Sequence, residues 1–195
     1  MSHEPIIVVP IAPVPPDGLA AALTRLKETF PAPVLIDSSY MIDPAFAFDS
    51  SRNQYYSSLL LSGLLRIFPS HKGKILGVIG ADLYIPVLTY VFGEAQLGGT
   101  AAIISTYRLD DVMYGLPPNR AVLEERMFKE AVHELGHTFG LVHCGDFDCV
   151  MHSSTGVEEI DLKTSSFCAD CAGVLHPIAV APAGDLSGVR KTSDP

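Results

Sequence analysis

With 195 residues, the chain is long enough for one domain with an ordinary hydrophobic core. Hydrophobic residues make up 48% and charged residues 18%, a composition typical of globular rather than disordered proteins. Asp and Glu number 22 against 13 Lys and Arg, so the formal net charge is −9 and nucleic acid is not an expected partner. The apolar stretches are shorter than the roughly 20 residues of a membrane-spanning helix, so no membrane partner is expected either.

The N-terminal segment predicts a buried strand rather than a signal peptide. Its apolar run begins at Ile6 with no Lys or Arg before it, and Pro10 and further prolines interrupt it. A signal peptide needs a basic start and a continuous apolar centre, so we expect a strand over 6–9, ended by Pro10. We therefore expect a cytoplasmic protein, in which disulfides are disfavoured.

Strands and helices alternate over the first part of the chain. Short apolar runs indicate buried strands, and Asp17 and then Ser50 or Ser51 can cap amphipathic helices. The predicted elements are strands at 6–9, 34–36 and 74–80 and helices at 17–29 and 50–68, with a loop at 41–49. This alternation predicts an α/β fold with a mixed, mainly parallel sheet.

The middle of the chain predicts a hairpin followed by a long helix. The β-rich runs 90–94 and 101–107 are separated by two adjacent glycines, which favour a tight connection. Asn119 can cap a helix that runs to about Phe139. Gly140 is well placed to end that helix in a left-handed turn.

The chain beyond Gly140 is poorer in regular signals. Short helices are expected around 157–163 and 168–174. Pro, Gly, Ala and Ser dominate from residue 177 onward, which predicts an irregular tail.

The sequence HELGHTFGLVH at the end of the long helix predicts a catalytic zinc site. His133 and His137 lie four residues apart on one helix face, and Gly140 permits a turn that returns His143 as a third ligand. Three His ligands leave one tetrahedral position open for water. Glu134 can take a proton from zinc-bound water, so that the hydroxide attacks a polarised carbonyl. The alternative interpretation is an ordinary helix with two solvated histidines.

Four cysteines follow at spacings that suit a second metal. Cys144 and Cys149 form a C-x₄-C pair, and Cys168 and Cys171 form a CxxC pair. Four thiolates complete a tetrahedron and leave no open position, as in structural zinc sites. Two disulfides, or unpaired buried cysteines, are the alternatives.

Residues 133–171 resemble a known family. HExxHxxGxxH followed by a downstream Met is the metzincin metalloprotease signature. Cys144 directly after His143, then Cys149, Met151 and the CxxC pair, makes the segment similar to the archaemetzincins.

The resemblance implies the fold and the metal sites. The fold would be a two-lobe zincin, with an N-terminal lobe over 1–140 that ends in the active-site helix and a small irregular C-terminal lobe over 141–195. The three histidines would bind a catalytic zinc, and the four cysteines a structural zinc, so the chain would hold two Zn²⁺. Glu134 would be the general base and then the general acid, and Met151 would belong to the turn beneath the catalytic metal.

The resemblance also implies that an edge strand binds extended peptide, and 90–94 and 101–107 are the candidates. Some metzincins place a tyrosine two residues beyond the turn Met to stabilise the oxyanion, but Ser153 stands there in this chain. Because thiolates are better zinc donors than imidazoles, we expect the Cys₄ zinc to be retained when the His₃ zinc is lost.

The sequence therefore favours a zinc-dependent metallopeptidase, an endopeptidase or an aminopeptidase, acting as a monomer on peptide or protein substrates. The alternative is a zinc-binding scaffold that recognises peptides with little or no peptidase activity. A binding module does not need Glu134, so the intact motif argues against it. A secreted, disulfide-stapled domain is disfavoured by the absence of a signal-peptide pattern.

Overall fold

The computed structural model describes residues 4–13, 24–30, 32–39 and 42–180. Its strands are β1 (Ile6–Ile11), β2 (Val34–Ile36), β3 (Phe48–Asp49), β4 (Gln54–Tyr56), β5 (Lys74–Ile79), β6 (Leu83–Tyr84), β7 (Gly93–Ala95) and β8 (Ala101–Ser105). Its helices are α1 (Leu26–Thr29), α2 (Ser57–Ile67), α3 (Arg120–Thr138), α4 (Val157–Leu162) and α5 (Ala169–Val180), with 3₁₀ turns at Pro44–Ala47 and Asp111–Tyr114. Within these ranges, no helix has the length and apolar character needed to cross a bilayer.

A five-stranded sheet in the order β2-β1-β5-β8-β7 forms the centre of the fold. Its first four strands are parallel, and only β7 runs antiparallel to its neighbour, β8. All five residues of β8 are buried, as expected for a parallel strand covered on both faces. Helix α3 packs on one face of the sheet and α2 on the other, so the predicted mainly parallel α/β fold is confirmed.

Strand β1 continues through Pro10 to Ile11, so the prediction that the proline ends the strand is wrong. The N–H of Ile6 and the carbonyl of Val8 bond towards the β2 side of β1. By the alternation of a parallel ladder, Pro10 faces the same side. Strand β2 has already ended at Ile36, so the missing N–H of the proline removes no ladder bond.

Helix α2 begins at Ser57, so the predicted start at Ser50 or Ser51 is wrong. The antiparallel pair β3 and β4 precedes it. The Asp49 carboxylate accepts hydrogen bonds from the N–H and the hydroxyl of Ser51, at 2.9 and 2.7 Å. These bonds make the serine part of a turn, because Asp and Ser side chains stabilise turns as readily as helix starts.

Three other differences concern the ends of elements. The predicted helix over 17–29 ends at Thr29 as expected, but its cap, Asp17, lies outside the described residues. The predicted loop at 41–49 contains the Pro44–Ala47 turn. The last helix, α5, continues to Val180, so the prediction of an irregular tail is wrong for residues 177–180.

The hairpin and the long helix are confirmed. Strands β7 and β8 pair antiparallel, with β7 at the edge of the sheet and β8 between β5 and β7. The prediction that residues 101–107 form the peptide-binding edge strand is therefore wrong. The other candidate, residues 90–94, overlaps the edge strand β7. In α3, the Asn119 side chain accepts a hydrogen bond from the N–H of Val122, and Gly140 beyond the helix has a φ of 93°.

Two buried cations of α3 hold the chain that follows the helix. The Arg126 guanidinium donates to both carboxylate oxygens of Asp161 and to Asp111, each at 2.7 Å. The Lys129 ammonium donates to the carbonyls of Ile160 and Asp161, at 2.9 and 3.1 Å. These carbonyls lie at the C-terminal end of α4, where a cation also stabilises the helix dipole.

We expect Arg126→Met to lower the free energy of unfolding by about 3 kcal/mol, because it leaves two carboxylates without their buried partner. Denaturant unfolding in excess zinc measures this loss. The matched control is Arg120→Met, which breaks the more exposed pair with Glu124 on the same helix and should cost less than about 1 kcal/mol. Equal losses in the two variants would contradict the role of Arg126.

Candidate metal centres

Three imidazoles converge at the C-terminal end of α3. The Nε2 atoms of His133 and His137 are 3.1 Å apart. His143, from the chain after the helix, joins them so that one donor atom of each ring lies within 4.8 Å of the other two. Zinc–nitrogen bonds of about 2.0–2.1 Å imply tetrahedral N–N separations of about 3.3 Å, so this donor set fits zinc.

A main-chain carbonyl holds each α3 histidine from behind. The Nδ1 of His133 lies 2.8 Å from the carbonyl oxygen of Val150, and the Nδ1 of His137 lies 2.7 Å from that of Leu141. An Nδ1–H that donates to a carbonyl leaves the Nε2 lone pair free for a metal. Burial lowers the pKa of all three imidazoles, including that of His143, and so favours the neutral form that binds metals.

Glu134 lies against the edge strand. A Cβ on Gly93 would stand 2.6 Å from both Cγ and Oε1 of Glu134, so the glycine leaves the space that this carboxyl occupies. Burial, reinforced by the negative charge of Glu130, raises the pKa of Glu134 well above its usual range. A divalent cation beside it acts in the opposite direction and favours the carboxylate.

Met151 is fully buried beneath α3. A Cβ on Gly136 would stand 2.5 Å from the Met151 sulfur, so the turn approaches the helix closely only because residue 136 is glycine. The N–H of Cys144 donates to the carbonyl of Met151 at 2.9 Å. The turn therefore connects the histidine centre to the first cysteine.

The buried pair of Lys163 and Glu130 was not identified from the sequence. The Lys163 ammonium lies 3.2 Å from Oε1 of Glu130 and donates to the carbonyl of His152 at 3.2 Å. Their side chains are 1% and 4% exposed, and both residues line the cleft. Helical spacing places Glu130 on the face of Glu134, but no local pattern indicates a lysine that pairs 33 residues away.

His152, which follows Met151, makes structural contacts. Its Nδ1 lies 3.0 Å from the carbonyl oxygen of Cys144, and its ring packs against Phe147 with centroids 4.5 Å apart. His152 does not line the cleft among the described residues, whereas Ser153 does.

A cleft of about 590 Å³ runs between β7 and the chain after Met151. Its lining includes β7 with the segment before it, here called the upper rim, and residues 153–155, here called the lower rim. The three histidines and Glu134 also line the cleft. A peptide that occupies the cleft can therefore contact the edge strand and the histidine centre together.

The four cysteines form a second centre. Cys144, Cys149, Cys168 and Cys171 are free, and their sulfur atoms all lie within 4.8 Å of one another. The sulfurs of Cys144 and Cys168 are 3.8 Å apart, close to the S–S edge of about 3.8 Å implied by zinc–sulfur bonds of about 2.3 Å. A disulfide needs about 2.05 Å, so this arrangement favours a metal over the disulfide alternative.

Main-chain N–H groups point at the sulfurs. The N–H of Cys168 lies 3.3 Å from the sulfur of Cys149, and that of Asp146 lies 3.4 Å from the sulfur of Cys144. A hydrogen bond from the N–H of Cys171 lowers the pKa of Cys168, whereas burial raises the pKa of Cys149. Such N–H bonds stabilise thiolates, the form that binds zinc.

The chain matches known proteins over the region of both centres. The model of Peptidase family M54 matches residues 36–176. An archaemetzincin of Pyrococcus furiosus is 41% identical over 174 residues, which cover 87% of this chain and 91% of that protein. An archaemetzincin of Methanocaldococcus jannaschii is 44% identical over 128 residues, which cover 66% of this chain and 69% of that protein.

Solved structures show the same fold. The crystal structure of an archaemetzincin from Archaeoglobus fulgidus complexed with malonate superposes with a TM-score of 0.74 at 35% identity and covers 87% of this chain and 99% of its own. A zinc-dependent peptidase from Methanocorpusculum labreanum superposes with a TM-score of 0.79 at 30% identity, again covering 87% of this chain and 99% of its own.

We expect Gly136→Ala to destabilise the protein by about 1–3 kcal/mol, because the new methyl group overlaps the Met151 sulfur. This loss opposes the gain of about 1 kcal/mol that alanine brings to a helix interior. The control is Gly173→Ala in α5, where a Cβ meets nothing within 4 Å, and it should be stabilising. Thermal unfolding of both variants measures the difference, and a stabilised Gly136→Ala would contradict the close packing.

Proposed function

Because the chain belongs to peptidase family M54, the archaemetzincins, it is a zinc metalloprotease, and we propose that Glu134 is its general base and then its general acid. As a peptidase it acts on peptides or proteins. One observation carries the proposal: three imidazoles converge beside a buried carboxyl that lies against a free sheet edge. A cytoplasmic location and a monomeric state remain predictions from the sequence.

We propose that His133, His137 and His143 hold the catalytic zinc. The support is the convergence of their donor atoms within 4.8 Å, together with the carbonyls that orient two of the rings. When bound, the zinc polarises the scissile carbonyl and lowers the pKa of water to about 7.

The proton transfers fall to Glu134. Its carboxylate takes the proton of the attacking water and then passes it to the nitrogen of the leaving amine, so no covalent enzyme intermediate is needed. Its position is set by the space that Gly93 leaves and by the fixed backbone of α3. Because Ser153 stands where some metzincins have tyrosine, no phenol at that position assists the oxyanion.

A second, structural zinc is proposed at the four cysteines, giving two Zn²⁺ per chain. It would tie Cys144, directly after His143, to Cys168 and Cys171 near the start of α5. A proposed C-terminal lobe over 141–195 would then fold together with its metal, because the cysteines converge only in the folded chain. The proposed N-terminal lobe over 1–140 supplies the sheet and α3.

We expect Glu134→Ala to lower the rate of peptide cleavage by about 10²–10⁴-fold while zinc content is unchanged. Digestion of a peptide library followed by mass spectrometry measures both the rate and the bonds that are cut. The control is Glu124→Ala, which removes a partly exposed carboxylate that pairs with Arg120 on the same helix and does not line the cleft, so this variant should cleave normally.

Undiminished cleavage by Glu134→Ala would contradict its role as the base. If zinc-loaded protein binds peptides but cleaves none of them, the result would favour the alternative function, a scaffold that recognises peptides without cleaving them.

Brief dialysis against a chelator should remove about one of two zinc ions and leave the Cys₄ zinc in place, because thiolates are the softer donors. Elemental analysis counts the zinc, and thiol titration reports whether the cysteines have become reactive. Cys171→Ser should reduce the zinc that survives dialysis. Loss of the thiolate-bound zinc first, with four reactive thiols and unchanged cleavage, would contradict this order.

A further inference from the structure

We propose that the cleft is closed at one end, so that the protein releases one or two residues from the C-terminus of its substrates. The proposal rests on the proposed function, because it places cleavage at the histidine centre. It concerns how far a peptide can extend on each side of that centre.

The free edge of β7 is short. Main-chain groups of Phe92 and Gln96 form hydrogen bonds to β8, at 2.8 and 3.0 Å. Because such bonds alternate along an antiparallel pair, Glu94 also faces β8, and the N–H and C=O groups of Gly93 and Ala95 point outward to the cleft. These two residues can pair with an extended peptide.

The edge is already occupied at Val91. Its N–H donates to the carbonyl of Leu83 at 2.9 Å, in an antiparallel bridge, so β6 stands where the peptide would continue. Gly93, which lies against Glu134, is only two positions along the strand from this block at Val91. At about 3.3 Å per residue, roughly two substrate residues fit between the catalytic centre and the block.

A hydrogen bond crosses the cleft at the same end. The Tyr90 hydroxyl donates to the carbonyl of Thr155 at 2.6 Å and joins the upper rim to the lower rim. The Arg108 guanidinium lies 4.0 Å from the centroid of the Tyr90 ring, and Phe92 packs edge-on at 5.5 Å. Arg108 is itself fixed by two bonds of 2.7 Å to Asp82, so the bridge is anchored on both sides.

Towards the opposite end, no strand in the described part of the chain pairs with the outer edge of β7. Leu97 and Val142 line the cleft there and are 62% and 63% exposed. A peptide that pairs antiparallel with β7, the slightly more stable arrangement, runs from this open end towards the bridge. Its C-terminal residues therefore occupy the closed end, and its N-terminal part extends into solvent.

Two peptide series test the proposal with the zinc-loaded protein. One series lengthens the chain after a fixed scissile bond from one to six residues, and the other lengthens the chain before it. We expect cleavage to fall at least tenfold beyond about two residues after the bond, where the peptide meets β6 and the Tyr90 bridge, and to be insensitive to length before it.

Two variants of Tyr90 test whether its bridge to Thr155 limits the cleavage of long peptides. Tyr90→Phe removes only the bridging hydroxyl, and since one neutral hydrogen bond is lost, cleavage of the long peptides should rise about fivefold with the short ones unchanged. Tyr90→Ala also removes the ring and should raise it further. The control Tyr55→Phe removes the hydroxyl of a ring that packs against Phe48, with centroids 5.1 Å apart, and does not line the cleft, so it should change neither series.

Cleavage spread along the interior of long peptides, or clustered at their N-termini, would overturn the proposal. Cleavage that is abolished in Glu134→Ala but independent of length would overturn the closed end alone and leave the proposed function intact. No cleavage of any peptide by the zinc-loaded protein would overturn both.

Discussion

The main-chain carbonyls of Val150 and Leu141 hold the imidazoles of His133 and His137, and the histidine centre depends on these two contacts. Two histidines one turn apart on a helix share a face in any sequence, but their rings rotate freely unless something fixes Nδ1. Both carbonyls belong to the chain that follows α3. The centre is therefore a property of the helix together with the returning segment, which also delivers His143.

Several contacts keep that segment in place, and most of them start on α3. Arg126, Lys129 and Glu130 reach Asp161, the end of α4 and Lys163, respectively. The cysteine cluster adds a second attachment, because Cys144 lies directly after His143 while its partners lie near α5. The C-terminal part of the chain is thus held by these charges and by the clustered cysteines, and its buried residues belong to the core that they form with α3.

The sequence predicted the structure correctly where interactions between neighbouring residues determine it. The capped helix, the spacing of His133 and His137, and the hairpin ahead of the helix depend on neighbouring residues, and these predictions agree with the structure. The errors arose where tertiary context decides. Pro10 stays in a strand because the neighbouring strand has ended, and Ser51 belongs to a turn because Asp49 binds it.

Two contacts join residues that are far apart in the chain: the pair of Lys163 and Glu130, and the bridge from Tyr90 to Thr155. No local sequence pattern predicts them. Gly93 is a similar case, since its significance is the space it leaves for Glu134, 41 positions later, and a sequence shows only a glycine in a strand.

X-ray absorption at the zinc edge can show whether the chain holds one zinc on imidazoles and another on thiolates. With both sites filled, we expect an average zinc shell of about two sulfurs near 2.3 Å and about two nitrogen or oxygen atoms near 2.0–2.1 Å. After mild chelation, the shell should approach four sulfurs. A shell of nitrogen and oxygen alone, or one that loses its sulfur contribution first, would contradict the assignment of two zinc sites.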